Sequence, residues 1–327
     1  MKLSIFRLAG LTLIGLLMAC GTQTQGPNTL TQADAQALSE AVQGDLQLTG
    51  FLLSNASVGA LTTQSEADSL DTGAQSWGLP RRLNVIMRAV GVLYLPARGG
   101  ANCEIRTTPS PLVDADNDGV PATATTTFDC RYTSPGGISY TLSGAITLKD
   151  TNDNQPNSGF SVSFDNFRSV VSGPNRSVER TLNGYFSIDT QNPALFAITK
   201  NYTQTVARTV RDNTFTGSLA FNLSKTYAPT SDGDANPWNA GTITVARTDP
   251  GSATWTRGSR TRNLIWYTDP TLHWNHSYCR KQEPLMNFDR GALEYVYTSP
   301  AGEKSTLRIE FTGCGQFTVT LNGQPVD

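Results

Sequence analysis

Three groups of residues in this 327-residue chain have the types and spacing to do chemistry. The first is Asp114-Ala115-Asp116-Asn117-Asp118-Gly119-Val120. Three carboxylates at alternate positions can converge on one hard cation. Gly119 permits a sharp turn, and the Val120 carbonyl can add a ligand, so the cofactor implied is calcium. Thr125 stands where an EF-hand would carry its bidentate Glu, so Asp129 or water would have to complete a different geometry. A solvated acidic turn explains the same residues more simply. Turn chemistry alone accounts for two loops of similar flavour, Asp150-Thr151-Asn152-Asp153-Asn154 and Asp232-Gly233-Asp234-Ala235-Asn236. The second group is His273, His276 and Cys279 at spacings of three, which with Cys314 would make a four-ligand soft-metal set. A bridge between the two cysteines would dissolve that set.

The third group is a single thiol and its context. Lys2 and Arg7 open the chain, and an apolar run from Leu8 to Leu17 follows, too short for a comfortable permanent span. Leu17-Met18-Ala19-Cys20 then matches the bacterial lipobox. There a thiolate nucleophile takes diacylglycerol and the leader is cut away in front of it. Residues 1–19 are thus read as a lipoprotein signal peptide and Cys20 as the lipidated residue. Residues 20–30 become a polar tether, and the membrane is a partner through the lipid. Gly21 follows where an Asp often holds such proteins at an inner membrane, so an outer membrane is favoured if the organism has one.

No GxSxG elbow, HExxH, phosphate-cradling glycine loop or SxxK occurs. Two histidines leave few bases for a triad. The expectation is therefore no enzyme. Without Lys2 and Arg7, 23 basic residues face 27 acidic ones, a balance of −4, which gives no reason to expect nucleic acid as partner. Trp255, Arg257, Arg260, Arg262 and Trp266 form a basic-aromatic stretch. It reads as a solvated strand face, with a glycan- or anion-binding surface as the alternative.

The elements that must position these residues follow from periodicity. Thr31-Gln32-Ala33-Asp34 resembles a capping box, and Leu38, Val42 and Leu46 recur at helical spacing. A helix is predicted from about Gln32 to about Leu48, with Gly44 as a weak point. Pro80 with Leu83, Ile86, Met87 and Val90 suggests a second helix or a strand. From about Thr123 the period becomes two. Tyr140, Leu142, Gly144, Ile146 and Leu148 share a face, as do Phe160, Val162 and Phe164, Tyr185 and Ser187, Phe215, Leu219 and Phe221, and Leu307, Ile309 and Phe311. Ser143-Gly144, Asn183-Gly184 and Asn322-Gly323 read as bulges or turns. The fold expected is mainly β, an antiparallel meander of about ten strands forming a barrel, half-barrel or sandwich, with one or two N-terminal helices packed on it. Residues 31–122 form a helical and loop region and residues 123–327 the β-domain, together one globular unit. Four cysteines besides Cys20 allow three pairings, and the local one joins Cys103 to Cys130 and Cys279 to Cys314.

Residues 272–323 carry Leu272, Asn275, Cys279, Gly291-Ala292-Leu293, Leu307-Arg308-Ile309-Glu310-Phe311, Gly313-Cys314-Gly315 and Thr318-Val319-Thr320-Leu321-Asn322-Gly323. This pattern resembles the tail of a family of bacterial envelope lipoproteins that carry no established activity. The resemblance implies a β-fold and a Cys279–Cys314 bridge, and it transfers no site residues. The leading expectation for function is a lipid-anchored envelope protein with a structural or interaction role, stabilised by calcium, whose partner is another envelope protein. The alternative is a carrier of a lipid or other apolar ligand in a half-open barrel, and a third class is an envelope glycan hydrolase. A Cys20→Ser chain is expected to lose both incorporation of labelled palmitate and recovery in the membrane fraction. Membrane-bound, palmitate-labelled Cys20→Ser protein would contradict this assignment.

Overall fold

The computed structural model describes residues 29–56 and 102–326, apart from 119, 135, 193, 211–212, 231–238 and 280–286. The leader, Cys20, most of the tether, the segment from Pro80 to Val90 and the loop from Asp232 to Asn236 lie outside the described residues. Among the described residues, one helix, α1 (Gln32–Ala56), precedes the strands. Thr31 caps it as the sequence predicts. The Asp34 amide donates to Thr31 Oγ1 at 3.1 Å, and the Thr31 amide donates to Asp34 Oδ2 at 3.1 Å. The helix runs well past Leu48. Gly44 is a point of close approach rather than a break, since a Cβ there would lie 2.5 Å from Gln204 Nε2.

Fifteen strands among the described residues then form one antiparallel sheet. The first seven are β1 (Asn102–Thr108), β2 (Ala124–Thr133), β3 (Ser139–Asp150), β4 (Gly159–Gly173), β5 (Arg176–Asp189), β6 (Phe196–Val210) and β7 (Asn213–Pro229), each paired with the next. The long β7 then pairs with two short strands end to end, β8 (Ala240–Thr244) and β9 (Gly251–Arg257). These pair in turn with β11 (Leu272–Asn275) and β10 (Arg260–Thr268), both of which dock on β12 (Phe288–Thr298). A four-residue helix, α2 (His276–Cys279), precedes β12. The sheet ends in β13 (Lys304–Gly313), β14 (Gln316–Leu321) and β15 (Gln324–Pro325). It does not close into a barrel: among the described residues β1 and β15 are its two edges. The strands outnumber the ten expected because short ones such as β8 and β15 carry too few residues to show a period. The sheet also starts earlier than Thr123, at Asn102.

Curvature comes from bends aligned across neighbouring strands. The β3–β4 register shifts between Ser143 and Ala145, and the β4–β5 register shifts between Phe164 and Phe167. Gly144 and Gly184 have φ of 97° and 108°. A Cβ on either would strike the neighbouring backbone, Asn166 O at 2.3 Å or Asn201 O at 2.3 Å. The sheet thus folds around α1, which packs on β6 and β7 and on β13 and β14. One core joins helix and sheet: Leu38, Val42 and Leu46 meet inward residues such as Ile198, Leu219, Trp255, Leu293 and Ile309. In β5 the inward face is Phe186 and Ile188, while Tyr185 is 39% exposed. The core therefore takes the larger apolar set and not the Tyr185–Ser187 face the sequence suggested. Asn322 and Gly323, with φ of 51° and 79°, make the tight turn into β15.

Each acid of α1 meets a base of the sheet. Asp34 holds Arg257 at 2.9 Å and Arg262 at 3.0 Å, Glu40 holds Arg208 at 2.6 Å, and Asp45 holds Lys200 at 2.5 Å. Burial pushes the Asp34 carboxyl up. The hydrogen bonds from Arg257 and Thr31, with the Arg262 charge, outweigh burial and leave it below its usual range. The basic-aromatic stretch is consequently not a solvated face. Trp255, Arg262 and Trp266 are buried, Arg262 on Asp34 of the helix, and only Arg260 of the five is exposed. Lys200 is fully buried, and Thr49 and Tyr202 complete its hydrogen-bonded group with Asp45. Lys225 is also buried, 5.8 Å from the Trp266 ring centroid. Burial, then the Lys200 charge beside it, hold its amine far below the usual lysine range. Lys200→Met leaves the Asp45 carboxylate buried without its cation and is expected to cost about 3–5 kcal/mol. Lys225→Met removes an amine whose burial and repulsion by Lys200 outweigh its attraction to Asp45, and it is expected to raise stability. Urea midpoints of the two variants at neutral pH check both signs.

Candidate metal centre

The strand pairing builds this site from two loops. The β2–β3 register places Ala124 opposite Leu148, so the end of the β1–β2 connection lies beside the β3–β4 hairpin. The Asp150 amide extends the ladder by donating to Pro121 O at 3.2 Å. Two further hydrogen bonds tie the loops together. The Ala115 amide donates to Asp153 Oδ1 at 3.0 Å, and the Asn157 amide donates to Asp118 Oδ2 at 2.8 Å.

Asp114, Asp116 and Asp118 do converge: one carboxylate oxygen of each lies within 4.8 Å of the other two. A second group of the same size comprises Asp116, Asp150 and Asp153. Asp116 belongs to both. Asp118 is buried, and its Oδ1 also accepts the Val120 amide at 2.8 Å. Val120 presents that amide to the loop and is itself buried in the core. Asp116 Oδ1 accepts the Asp118 amide at 3.0 Å. Asp150 is 3% exposed; its Oδ1 accepts from the Asn152 amide at 3.0 Å and from Ser158 Oγ at 2.9 Å. The other oxygens of these two residues, Asp116 Oδ2 and Asp150 Oδ2, are buried and accept no hydrogen bond.

Electrostatics follow from the crowding. Burial raises the Asp116 carboxyl above its ordinary range, and the charges of Asp118 and Asp150 raise it further against the Asp118 amide. Burial likewise raises Asp150, with Asp118 and Asp153 adding to it and the Asn152 amide and Ser158 opposing. The site is a pocket of like charge whose ionised state is costly.

Asp129 does not join it. It lies exposed on β2, opposite Glu104 and Ser143, well away from the loop end of the strand. Thr125 bonds across the strands to Thr147 instead, Oγ1 to Oγ1 at 2.9 Å. Asp150 and Asp153, which sequence alone assigns to an ordinary turn, are the unexpected members. Their signal is spacing: two acidic loops separated by the length of the β2–β3 hairpin must meet at one end of it.

The second candidate set does not form. Cys279 and Cys314 are disulfide-bonded, with Cα atoms 5.2 Å apart. His273 Nδ1 lies 2.6 Å from Asp289 Oδ1, and the His276 ring stacks on Trp274. Cys103 stands directly opposite Cys130 in the β1–β2 register, and Cys130 is itself disulfide-bonded. Compared with family models, curated proteins and solved structures, the chain matches none.

With chelator present, Asp150→Asn is expected to raise the thermal unfolding midpoint at pH 7. The amide keeps an acceptor for Asn152 and Ser158, removes one charge from the cluster and offers a donor to Asp116. A lowered midpoint in chelator would contradict the repulsion described.

Proposed function

We propose that the chain is a lipid-anchored protein of a bacterial cell envelope with a structural or interaction-mediating role and no catalytic one. The observation that carries the non-carrier part of this reading is the occupancy of the concave face. A protein that ferries an apolar cargo keeps an apolar cavity for it. Here α1 lies in that space, packed by Leu38, Val42 and Leu46 and held by Asp34, Glu40 and Asp45. The anchoring part rests on the lipobox ending in Cys20, with Gly21 favouring an outer membrane. The Cys279–Cys314 bridge agrees with an oxidising compartment. Among the described residues no helix is long and apolar enough to cross a membrane.

One observation favours the carrier as a second reading. A groove of about 640 Å³ opens between the outer side of α1, β5 and β6 on one arm and β14 and β15 on the other. Val178, Val206, Phe317 and Val319 supply apolar wall, and Arg180 and Arg208 supply charge. Native mass spectrometry of protein purified from its membrane in mild detergent separates the two readings. Diacylglycerol on Cys20 with no further stoichiometric lipid is the expected result. A second lipid bound one to one, and displaced in Val206→Trp, would replace the structural reading with the carrier. An unmodified Cys20 thiol in the mature chain would overturn the anchor.

A further inference from the structure

We infer that the two acidic loops form a two-ion calcium centre, with Asp116 as the ligand shared between the ions. Oxygens on opposite sides of a calcium ion, each about 2.4 Å from it, lie about 4.8 Å apart. Each carboxylate triad fits that limit, and the five residues fall into two such groups rather than one. The geometry therefore seats one ion among Asp114, Asp116 and Asp118 and another among Asp116, Asp150 and Asp153.

Crowded acids alone do not make a site. The independent observation is the pair of oxygens left over. Asp150 is 3% exposed, its Oδ1 is satisfied by protein donors, and its Oδ2 is buried with none. Asp116 repeats the arrangement, with Oδ1 on the Asp118 amide and Oδ2 buried without a donor. A buried carboxylate oxygen without a donor or a cation is strongly disfavoured. Both residues belong to the second triad, which the sequence motif does not contain. Two divalent ions would offset four of the five negative charges. The ligands are all oxygen, which selects a hard cation, and a dense set of carboxylates on loops suits the high, flexible coordination of calcium better than the strict octahedron of magnesium.

The consequence is mechanical. Asp114, Asp116 and Asp118 come from the β1–β2 connection, and Asp150 and Asp153 from the β3–β4 hairpin. Ions shared through Asp116 would fasten the loops of two successive strand pairs. The inference rests on the extracytoplasmic placement proposed above, since calcium is abundant there and extracellular modules bind it at about 10⁻⁴–10⁻³ M.

The test is native mass spectrometry of the full mature protein, stripped with chelator and returned to millimolar calcium chloride. Wild type is expected to gain two ions, Asp114→Asn one, Asp153→Asn one, and Asp116→Asn none. Unfolding midpoints in chelator, equal to or above wild type, will show that the variants fold. The calcium-dependent rise in midpoint should be largest for wild type and absent in Asp116→Asn. A tenfold excess of magnesium chloride should not reproduce the rise. A stoichiometry of one or none in wild type, full binding by Asp116→Asn, or equal stabilisation by magnesium would overturn the proposal. Cys20→Ser protein serves as the separating control. Two ions on this unlipidated chain keep this inference standing on its own, and two ions on wild-type protein whose Cys20 thiol is unmodified would remove the anchoring reading alone.

Discussion

The fold depends on one buried ion pair, Asp45 on α1 with Lys200 on β6, joined by Thr49 and Tyr202. Removing two charges from water costs several kcal/mol per ion, and their attraction offsets this only when hydrogen bonds satisfy what remains of each. Here the carboxylate receives an ammonium and a phenol, and the ammonium also reaches a hydroxyl. The arrangement tolerates no slip. A shift of α1 by one residue would leave both charges buried without partners, so the pair fixes the register of the helix against the sheet. Asp34 and Glu40 repeat this at the first and third turns with Arg257, Arg262 and Arg208. Apolar packing alone would hold the helix in the concavity, and the acids decide where along it.

A helix in that position imposes a shape on the sheet. Strands β6 and β7 and strands β13 and β14 must all reach α1, although several strands separate them in the sheet order. A sheet this wide closes, curls or splits. This one curls, bent by the line of register shifts through Gly144, Asn166 and Gly184, and it stops short of closure. Among the described residues two edges remain, and both are blunted. The β1 edge is seven residues long, with Glu104 exposed on it. The β15 edge is two residues long and ends in Pro325, which has no amide to donate.

The sequence makes the period-two strands, the capping box and the Cys279–Cys314 bridge legible because each is a local pattern with a local cause. Residues such as Phe160, Val162 and Phe164 are inward because alternation on a pleated strand leaves no other choice. What stays hidden is pairing between distant elements. Arg257 and Arg262 look like residues of a solvated strand, since arginines usually are. The burial of Arg262 and the partial burial of Arg257 depend on Asp34, more than two hundred residues earlier. Gly44 reads as a weak point of the helix until Gln204 is seen against it. Asp150 and Asp153 read as turn residues because each loop, taken alone, is one. Half of the acidic site was thus visible as a motif, and the other half exists only through the β2–β3 hairpin.

The position of that site answers a weakness in the design. Helix support is concentrated on β6, β7, β13 and β14, and the arm from β1 to β4 lies further along the sheet. An arm with less of the described helix behind it gains more of its rigidity locally. Phe128 against Phe167 fills part of the space, and the directly opposed Cys103 and Cys130 stand at the free edge. At the loop end, five carboxylates are packed together where repulsion would be expected to splay the hairpins. Such a cluster is a poor way to stabilise a chain by itself and an effective way to make its order depend on a cation. The two ends of the molecule would then be governed differently: the helix end by charges supplied within the chain, and the β1–β4 end by charge taken from its surroundings.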